Sequence, residues 1–210
     1  MKINKVTIYP KTPRISDTYS WIITEKLDGS NLSIGKLEDK LVIAQRNYTF
    51  TFDNLVEDLD ILKDKLYKGL YVWLLENGKV LLDSLNEGSF ICGEWIGMGR
   101  IKYKDRFKDQ GRYFIYAKAR YDNESNKLFN LNYKEEFREY AFEDGVVPEF
   151  IRYVPRLRNF DHKPSIEELD NLYSLLHEHY EIEGFVIENN NSVEKYVRYK
   201  NGKLQDHFIW

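Results

Sequence analysis

Lys26 stands where a run rich in aromatic and β-branched residues, Tyr19 to Glu25, gives way to Asp28-Gly29-Ser30. A run of that kind reads as a strand and an Asp-Gly pair as its break, so the amine sits at a strand end. A lysine desolvated there, or flanked by cations, becomes a nucleophile. Two carboxylates belong to apolar strands further along. Glu94 closes one in Cys92-Gly93-Glu94-Trp95, and Glu183 opens another in Glu183-Gly184-Phe185-Val186-Ile187. Arg198 and Lys200 are two apart in Tyr196-Val197-Arg198-Tyr199-Lys200, which puts them on one face of a strand. Arg46 adds a further cation after a second hairpin strand. An amine, two carboxylates and these cations are what binding a polyphosphate, holding a divalent metal and attacking phosphorus require.

Other chemistries fit less well. His177 and His179 are two apart in a helical pattern and point away from each other, so they are no ligand pair. Cys92 is the single cysteine, which leaves no internal disulfide and no structural zinc set; within its apolar strand it reads as a core residue. A net charge of −3 does not advertise nucleic-acid binding, but the charge is unevenly spread. Arg100 to Arg112 holds Arg100, Lys102, Lys104, Arg106, Lys108 and Arg112 against Asp105 and Asp109, and a second basic stretch holds Arg152, Arg156, Arg158 and Lys163. Each is either a solvated face or a set of phosphate contacts. No apolar run reaches the length of a membrane span, and MKINKVTIYPK has no signal-peptide core. The expected location is the cytoplasm, or the host cytoplasm for a chain of phage or viral origin.

The elements that must position these residues are legible in part. No repeat, low-complexity tract or linker interrupts residues 1–210, which read as one domain. Leu32-Ser33-Ile34 and Leu41-Val42-Ile43 pair as a hairpin around Leu37-Glu38-Asp39-Lys40. Leu55, Leu59, Leu62 and Leu66 recur at helical spacing and predict an amphipathic helix over Asp53 to Lys68. Tyr71 to Leu85 is ambiguous, since Asn77-Gly78 suits a hairpin turn or a helix end. Ser89 to Trp95 and Arg112 to Tyr121 read as strands, Asn132 to Phe142 as a helix, and Val146 to Val154 as extended chain. Ser165-Ile-Glu-Glu168 is a capping box, and Leu169, Leu172, Leu175 and Leu176 give the helix behind it an inner face to Tyr180. Ile182 to Glu188 and Tyr196 to Lys200 close the series as its last two strands. Helices interrupt antiparallel-looking strands without βαβ alternation, which makes the expected class α+β.

Taken in order, the motifs resemble those of the covalent nucleotidyltransferases: DNA ligases, RNA ligases and mRNA capping enzymes. Lys26-Leu-Asp-Gly29 looks like their nucleotidyl-acceptor motif, Gly93-Glu94 like the third motif, Glu183-Gly184-Phe-Val-Ile187 like the fourth and Val197-Arg-Tyr-Lys200 like the fifth. Lys26-Leu-Asp-Gly-Ser-Asn31 and Gly93-Glu94-Trp95-Ile96-Gly97 look nearest to the ATP-dependent RNA ligase branch typified by phage T4 RNA ligase 2. The resemblance implies an ATP-grasp-like nucleotidyltransferase domain of antiparallel sheets with flanking helices, without an OB-fold.

It also implies roles. Lys26 would carry the lysyl–AMP, and Glu25 would help read the adenine edge. Asn31 and Arg46 would contact the nucleotide or the end being sealed. Glu94 would hold the ribose hydroxyls. Glu183 would serve the Mg²⁺- or Mn²⁺-assisted chemistry and bind the metal. Lys200 would touch the α-phosphate, with Arg198 beside it. Phe114 and Tyr116, two apart on a strand, supply the aromatic that stacks on adenine, and Tyr116 matches better. The family usually has lysine at the position of Arg198, and arginine keeps the charge but changes its geometry. Relatives usually carry aspartate where this chain has Lys118.

The implied activity is ATP-dependent sealing of 5′-phosphate and 3′-hydroxyl RNA ends or nicked duplex, as in RNA repair. The alternatives are a minimal DNA ligase, a GTP-using capping enzyme, and a relative that binds nucleotide or nucleic acid without catalysis. Ten residues follow Lys200, so the chain reads as a minimal ligase, as one relying on a partner for its C-terminal domain, or as part of a longer chain.

Overall fold

The computed structural model describes residues 2–4, 21–96, 101, 103, 106–107, 113–122, 127–130, 141–179, 181–189, 192–200 and 203–209. The predicted helix over Asn132 to Phe142 lies outside them, apart from Ala141 and Phe142. So do most of the basic segment Arg100 to Arg112, Gly97, and the side chain of Lys200. The chain divides into two compact units. One takes Met1–Lys11, Gly29–Met98 and Lys104–Tyr153; the other takes Thr12–Asp28, Gly99–Tyr103 and Val154–Trp210. In chain order the strands are β1 (Lys2–Asn4), β2 (Trp21–Lys26), β3 (Gly29–Leu37), β4 (Lys40–Ala44), β5 (Thr49–Thr51), β6 (Ser89–Ile96), β7 (Tyr113–Asp122), β8 (Lys127–Asn130), β9 (Arg152–Tyr153), β10 (Arg156–Phe160), β11 (Gly184–Glu188), β12 (Val193–Lys200) and β13 (Lys203–Ile209). The helices are α1 (Leu55–Leu62), α2 (Leu70–Ser84) and α3 (Ile166–His177).

The first unit is an antiparallel sheet in the order β1-β5-β4-β3-β6-β7-β8, with β9 pairing parallel to the start of β7. The β3–β4 hairpin turns on Glu38 and Asp39, both in the left-handed region at φ 52° and 56°. Two such residues make the tight turn that matches strand twist. Neither is glycine, and the Glu87 carboxylate accepts both of their N–H groups, at 2.6 and 3.1 Å.

One face of this sheet carries Leu32, Ile34, Ile91, Trp95, Tyr113 and Ile115, which pack with Leu59, Leu62, Leu70, Leu74 and Leu81 of α1 and α2. Truncating a buried leucine of this kind to alanine costs about 2–5 kcal/mol. The predicted helix Asp53 to Lys68 is shorter than expected. It starts at the Asn54 cap and ends at Leu62. Beyond it the Gln45 side chain donates to Lys65 O at 2.9 Å and accepts from Tyr67 N–H at 2.7 Å. The second bond takes the Tyr67 N–H that a longer helix would turn to Lys63 O, yet Leu66 stays buried.

The ambiguous stretch is α2, and Gly78 lies in its middle. A Cβ there would stand 2.9 Å from a Leu55 methyl, so the glycine allows close approach of α1 and α2 and marks neither a turn nor an end.

The second unit is an antiparallel sheet in the order β10-β2-β11-β12-β13. The helix predicted to run from the capping box to Tyr180 ends at His177. The Ser165–Glu168 capping box is formed as expected. This helix, α3, lays Leu169, Leu172 and Tyr173 against Ile23, Phe185, Ile187 and Tyr196. Two strands of this sheet escaped the sequence reading. β10 lies in the basic stretch, and an edge strand needs no apolar alternation. β13 follows the strand expected to be last. The observed class is α+β, as the motif order and strand pattern imply. No helix among the described residues is long and apolar enough to cross a membrane.

Candidate active site

Lys26 ends β2, and the register sets it opposite Gly184 at the head of β11. A Cβ on Gly184 would meet Tyr196 O at 2.0 Å, so only glycine lets β11 and β12 close here. That close approach brings Glu183 to Lys26. Lys26 Nζ donates to Glu183 Oε2 at 2.5 Å, with the two side chains 22% and 15% exposed. Burial raises the Glu183 carboxyl above its ordinary value, against the opposing pull of the Lys26 charge.

The loop behind Lys26 is latched twice. Asp28 N–H donates to Tyr103 Oη at 2.7 Å, and Ile101 N–H donates to Asp28 Oδ2 at 2.8 Å. Both Ile101 and Tyr103 are buried. Burial raises the Tyr103 hydroxyl, and the charges of Glu25, Asp28 and Glu183 raise it further. Glu25 is buried at 1% exposure, in register with Phe185, and its N–H donates to Pro155 O at 2.9 Å. Sequence reasoning missed Tyr103, because a tyrosine seventy-five residues from Asp28 carries no local signal of that bond.

Arg198 is not brought to Lys26. Lys26, Gly184 and Val197 are register partners, while Arg198 has the parity of Tyr196, which is fully buried under α3. The Arg198 guanidinium bonds the Asp170 carboxylate of α3, lies 3.3 Å from Tyr196 Oη and sits 5.5 Å from the Tyr173 ring centre. The sequence reading placed Arg198 beside Lys200 at the phosphate; the sheet parity places its side chain against the helix. The backbone of Lys200 pairs with Lys203.

In the other unit, Asn31 on β3 and Glu94 on β6 are direct cross-strand partners. Asn31 Nδ2 donates to Glu94 Oε2 and to Tyr116 Oη, each at 3.1 Å. Tyr116 reaches Asn31 because β7 bulges there: Gly93 pairs with Ile115 and Cys92 with Ala117, leaving Tyr116 as the extra residue. A bulge re-aims a side chain, and this ring is 37% exposed. Phe114, expected to share the nucleotide-facing role, is instead buried against Phe107 at 4.7 Å between ring centres.

Arg46 follows β4 on the surface, and its N–H donates to Tyr67 Oη at 3.0 Å. Burial raises the Tyr67 hydroxyl, and the nearby Glu94 charge adds to the rise. Gln45, which the sequence reading passed over, fixes this corner through its two bonds to Lys65 and Tyr67. Tyr113 Oη, 2.9 Å from both Leu32 O and Ile91 O, ties β3 to β6 just behind Asn31 and Glu94. Cys92 is buried, and burial pushes its thiol up to about 12, which makes it inert.

Among the described residues no three His, Cys, Asp or Glu side chains form a ready metal cage. A half-buried, partly compensated carboxylate such as Glu183 suits Mg²⁺ or Mn²⁺ that takes its remaining ligands from phosphate and water.

Among solved structures the chain is similar to a lysine-to-alanine mutant of Naegleria gruberi RNA ligase, at 14% identity over 91% of this chain and 58% of that one, with a TM-score of 0.48. It is similar to an archaeal ATP-dependent RNA ligase at 17% identity over 91% and 48%, TM-score 0.48. A glutamate-to-alanine mutant of a Naegleria gruberi RNA ligase, with ATP and Mn, matches at 13% identity over 85% and 50%, TM-score 0.46. The chain thus spans about half the length of these proteins. Comparison with curated protein sequences finds no match. The RNA ligase family model matches residues 19–201, which take in Lys26, Asn31, Glu94, Glu183 and Lys200. With that match over nearly its whole length, the chain belongs to the RNA ligase family.

Proposed function

We propose that the chain is an ATP-dependent RNA ligase that works through a lysyl–AMP intermediate. The observation that carries this reading is the Lys26–Glu183 pair: an amine fixed at 2.5 Å from a carboxylate that burial holds above its usual range.

In the first step Lys26 Nζ attacks the α-phosphorus of ATP. The Lys26 ammonium gives one proton to Glu183 Oε2 and becomes a free amine; the N–P bond then forms, the bond to pyrophosphate breaks, and the second amine proton leaves with the pyrophosphate. AMP then passes to a 5′-phosphate end and frees Lys26. Finally a 3′-hydroxyl attacks the activated 5′-phosphate and AMP leaves. Glu183 would also hold a divalent ion, which supplies neutralisation of phosphate charge when bound.

In this reading Glu94, which accepts from the Asn31 amide, holds ribose hydroxyls, and the exposed Tyr116 stacks on a base. The family resemblance assigns phosphate contacts to Arg46 and Lys200 and the adenine edge to the buried Glu25. Fixing these groups in advance is where most of the catalysis originates. RNA ends are the proposed substrate.

The test is a mass spectrum of the protein after incubation with ATP and Mg²⁺. A gain of one AMP, lost on acid treatment and absent in Lys26→Ala, is expected. Equal labelling of Lys26→Ala, or a gain of GMP from GTP in place of AMP, overturns the reading.

A further inference from the structure

Arg198 and Asp170 are joined in a way that the sequence motif does not foretell. The Arg198 guanidinium bonds the Asp170 carboxylate on α3, and the Tyr196 hydroxyl bonds that same carboxylate oxygen. The guanidinium lies over the Tyr173 ring, and its Nε is buried with no partner among the described residues. A side chain set up to clasp phosphate leaves its fork open to solvent or ligand. This one is spent on the helix.

The main chain of Arg198 does something different. Its N–H donates to Glu183 O at 3.0 Å. One residue thus ties α3, through its side chain, to the backbone of the carboxylate that faces Lys26. Gly184, next in sequence to Glu183, packs a backbone hydrogen where a Cβ would meet Tyr196 O at 2.0 Å, so the Glu183 segment has little slack against β12. A shift of β12 therefore moves Glu183.

We infer that Arg198 is a positioning residue, which with Asp170 of α3 holds β12 so that Glu183 meets Lys26, and that it does not bind the phosphates of the nucleotide. The inference rests on the proposed lysyl–AMP chemistry. It assigns α3, which carries none of the motif residues, a part in setting the rate of adenylylation. It also accounts for arginine at a position where lysine is usual. A planar fork can bond Asp170, approach Tyr196 Oη and stack on Tyr173 at once, and an ammonium cannot do all three.

The experiment is a double-mutant cycle on single-turnover lysyl–AMP formation, with Asp170→Asn, Arg198→Met and the pair, and Tyr196→Phe as a gentler variant. Thermal melts establish that each is folded. A positioning role predicts that Asp170→Asn and Arg198→Met each slow the step by about tenfold, the size seen when a supporting partner is lost at other sites. The double variant should be no slower than the worse single one. The ATP concentration at half-maximal rate stays unchanged, because no phosphate contact has been removed.

A phosphate ligand predicts a different pattern: Arg198→Met weakens ATP binding, while Asp170→Asn, which frees the guanidinium, leaves the rate unchanged or raises it. That result overturns the inference. Amide exchange over residues 183–186 supplies a readout apart from activity. It should quicken equally in both single variants, and no change in either refutes the positioning role. A parent protein that takes up no AMP would count against the lysyl–AMP reading alone, and the exchange data would still decide the role of Arg198.

Discussion

Tyr103→Phe removes one hydroxyl and keeps the ring. That oxygen accepts the Asp28 main-chain N–H at 2.7 Å, and Tyr103 is 8% exposed, so water has poor access to replace it. A buried N–H left without an acceptor costs about 1–3 kcal/mol. At 1.4 kcal/mol per factor of ten, this is about five- to a hundredfold in the population of the held loop. The other half of the latch, Ile101 N–H to Asp28 Oδ2 at 2.8 Å, survives the substitution. The expected loss therefore sits toward the low end, about tenfold in the rate of lysyl–AMP formation. The assay is rapid-quench labelling in a single turnover at saturating ATP, beside a urea melt of the same protein. Asp28→Ala removes the carboxylate half of the latch and should slow labelling comparably. A Tyr103→Phe rate within about twofold of the parent's, with an unchanged urea midpoint, would show that the latch does not govern Lys26 and would refute the reasoning.

Gly184→Ala forces a Cβ to 2.0 Å from a main-chain oxygen, and a urea melt should show a loss of about 3 kcal/mol or more. Glu94→Ala should stay folded by circular dichroism yet lose about a hundredfold or more in ligation; near-full activity would remove Glu94 from the site. The Glu183 carboxyl is raised by burial, so the folded state holds its proton above the usual glutamate range. Stability is then lost as pH rises from 4.5 through the raised value, and Glu183→Gln should abolish that part of the pH–stability curve. His162 is raised by its bonds to Asp161 and Glu168, so its stabilisation of the α3 cap is full below 6.5 and fades as pH rises through the raised value. Melts of the parent and His162→Asn should accordingly converge at alkaline pH. On matched pre-adenylylated nicks, an RNA 3′-hydroxyl strand should seal faster than a DNA one, since the 2′-hydroxyl alone distinguishes them there.

What the sequence disclosed, and what it hid, divides along physical lines. Lys26 at a strand end, the capping box at Ser165 and the α+β class all rest on local patterns, and local patterns are written in consecutive residues. The latch of Tyr103 on Asp28 and the grip of Gln45 on Lys65 and Tyr67 join distant residues, and they leave no periodic trace. The Gln45 bonds also explain why leucines at helical spacing through Leu66 did not yield a helix of that length. Arg198 is instructive because its parity was readable. Two residues apart on a strand share a face, but that alone does not say which face. Tyr196 shares the parity of Arg198 and is wholly buried, so a large aromatic at that spacing was the signal that the face turns inward. The sequence preferred Tyr116 to Phe114 by resemblance alone; that Tyr116 is the exposed one of the two follows from a bulge with no signature in the sequence.

That bulge separates two jobs which a regular strand would confound. Ile115 before it packs into the core beneath α1 and α2, and Ala117 after it packs with Val42, Phe90 and Cys92 on the opposite face. Tyr116 belongs to neither apolar cluster and turns its hydroxyl to the Asn31 amide. What position 116 must satisfy is its contact with Asn31, a demand separate from the packing of either apolar layer.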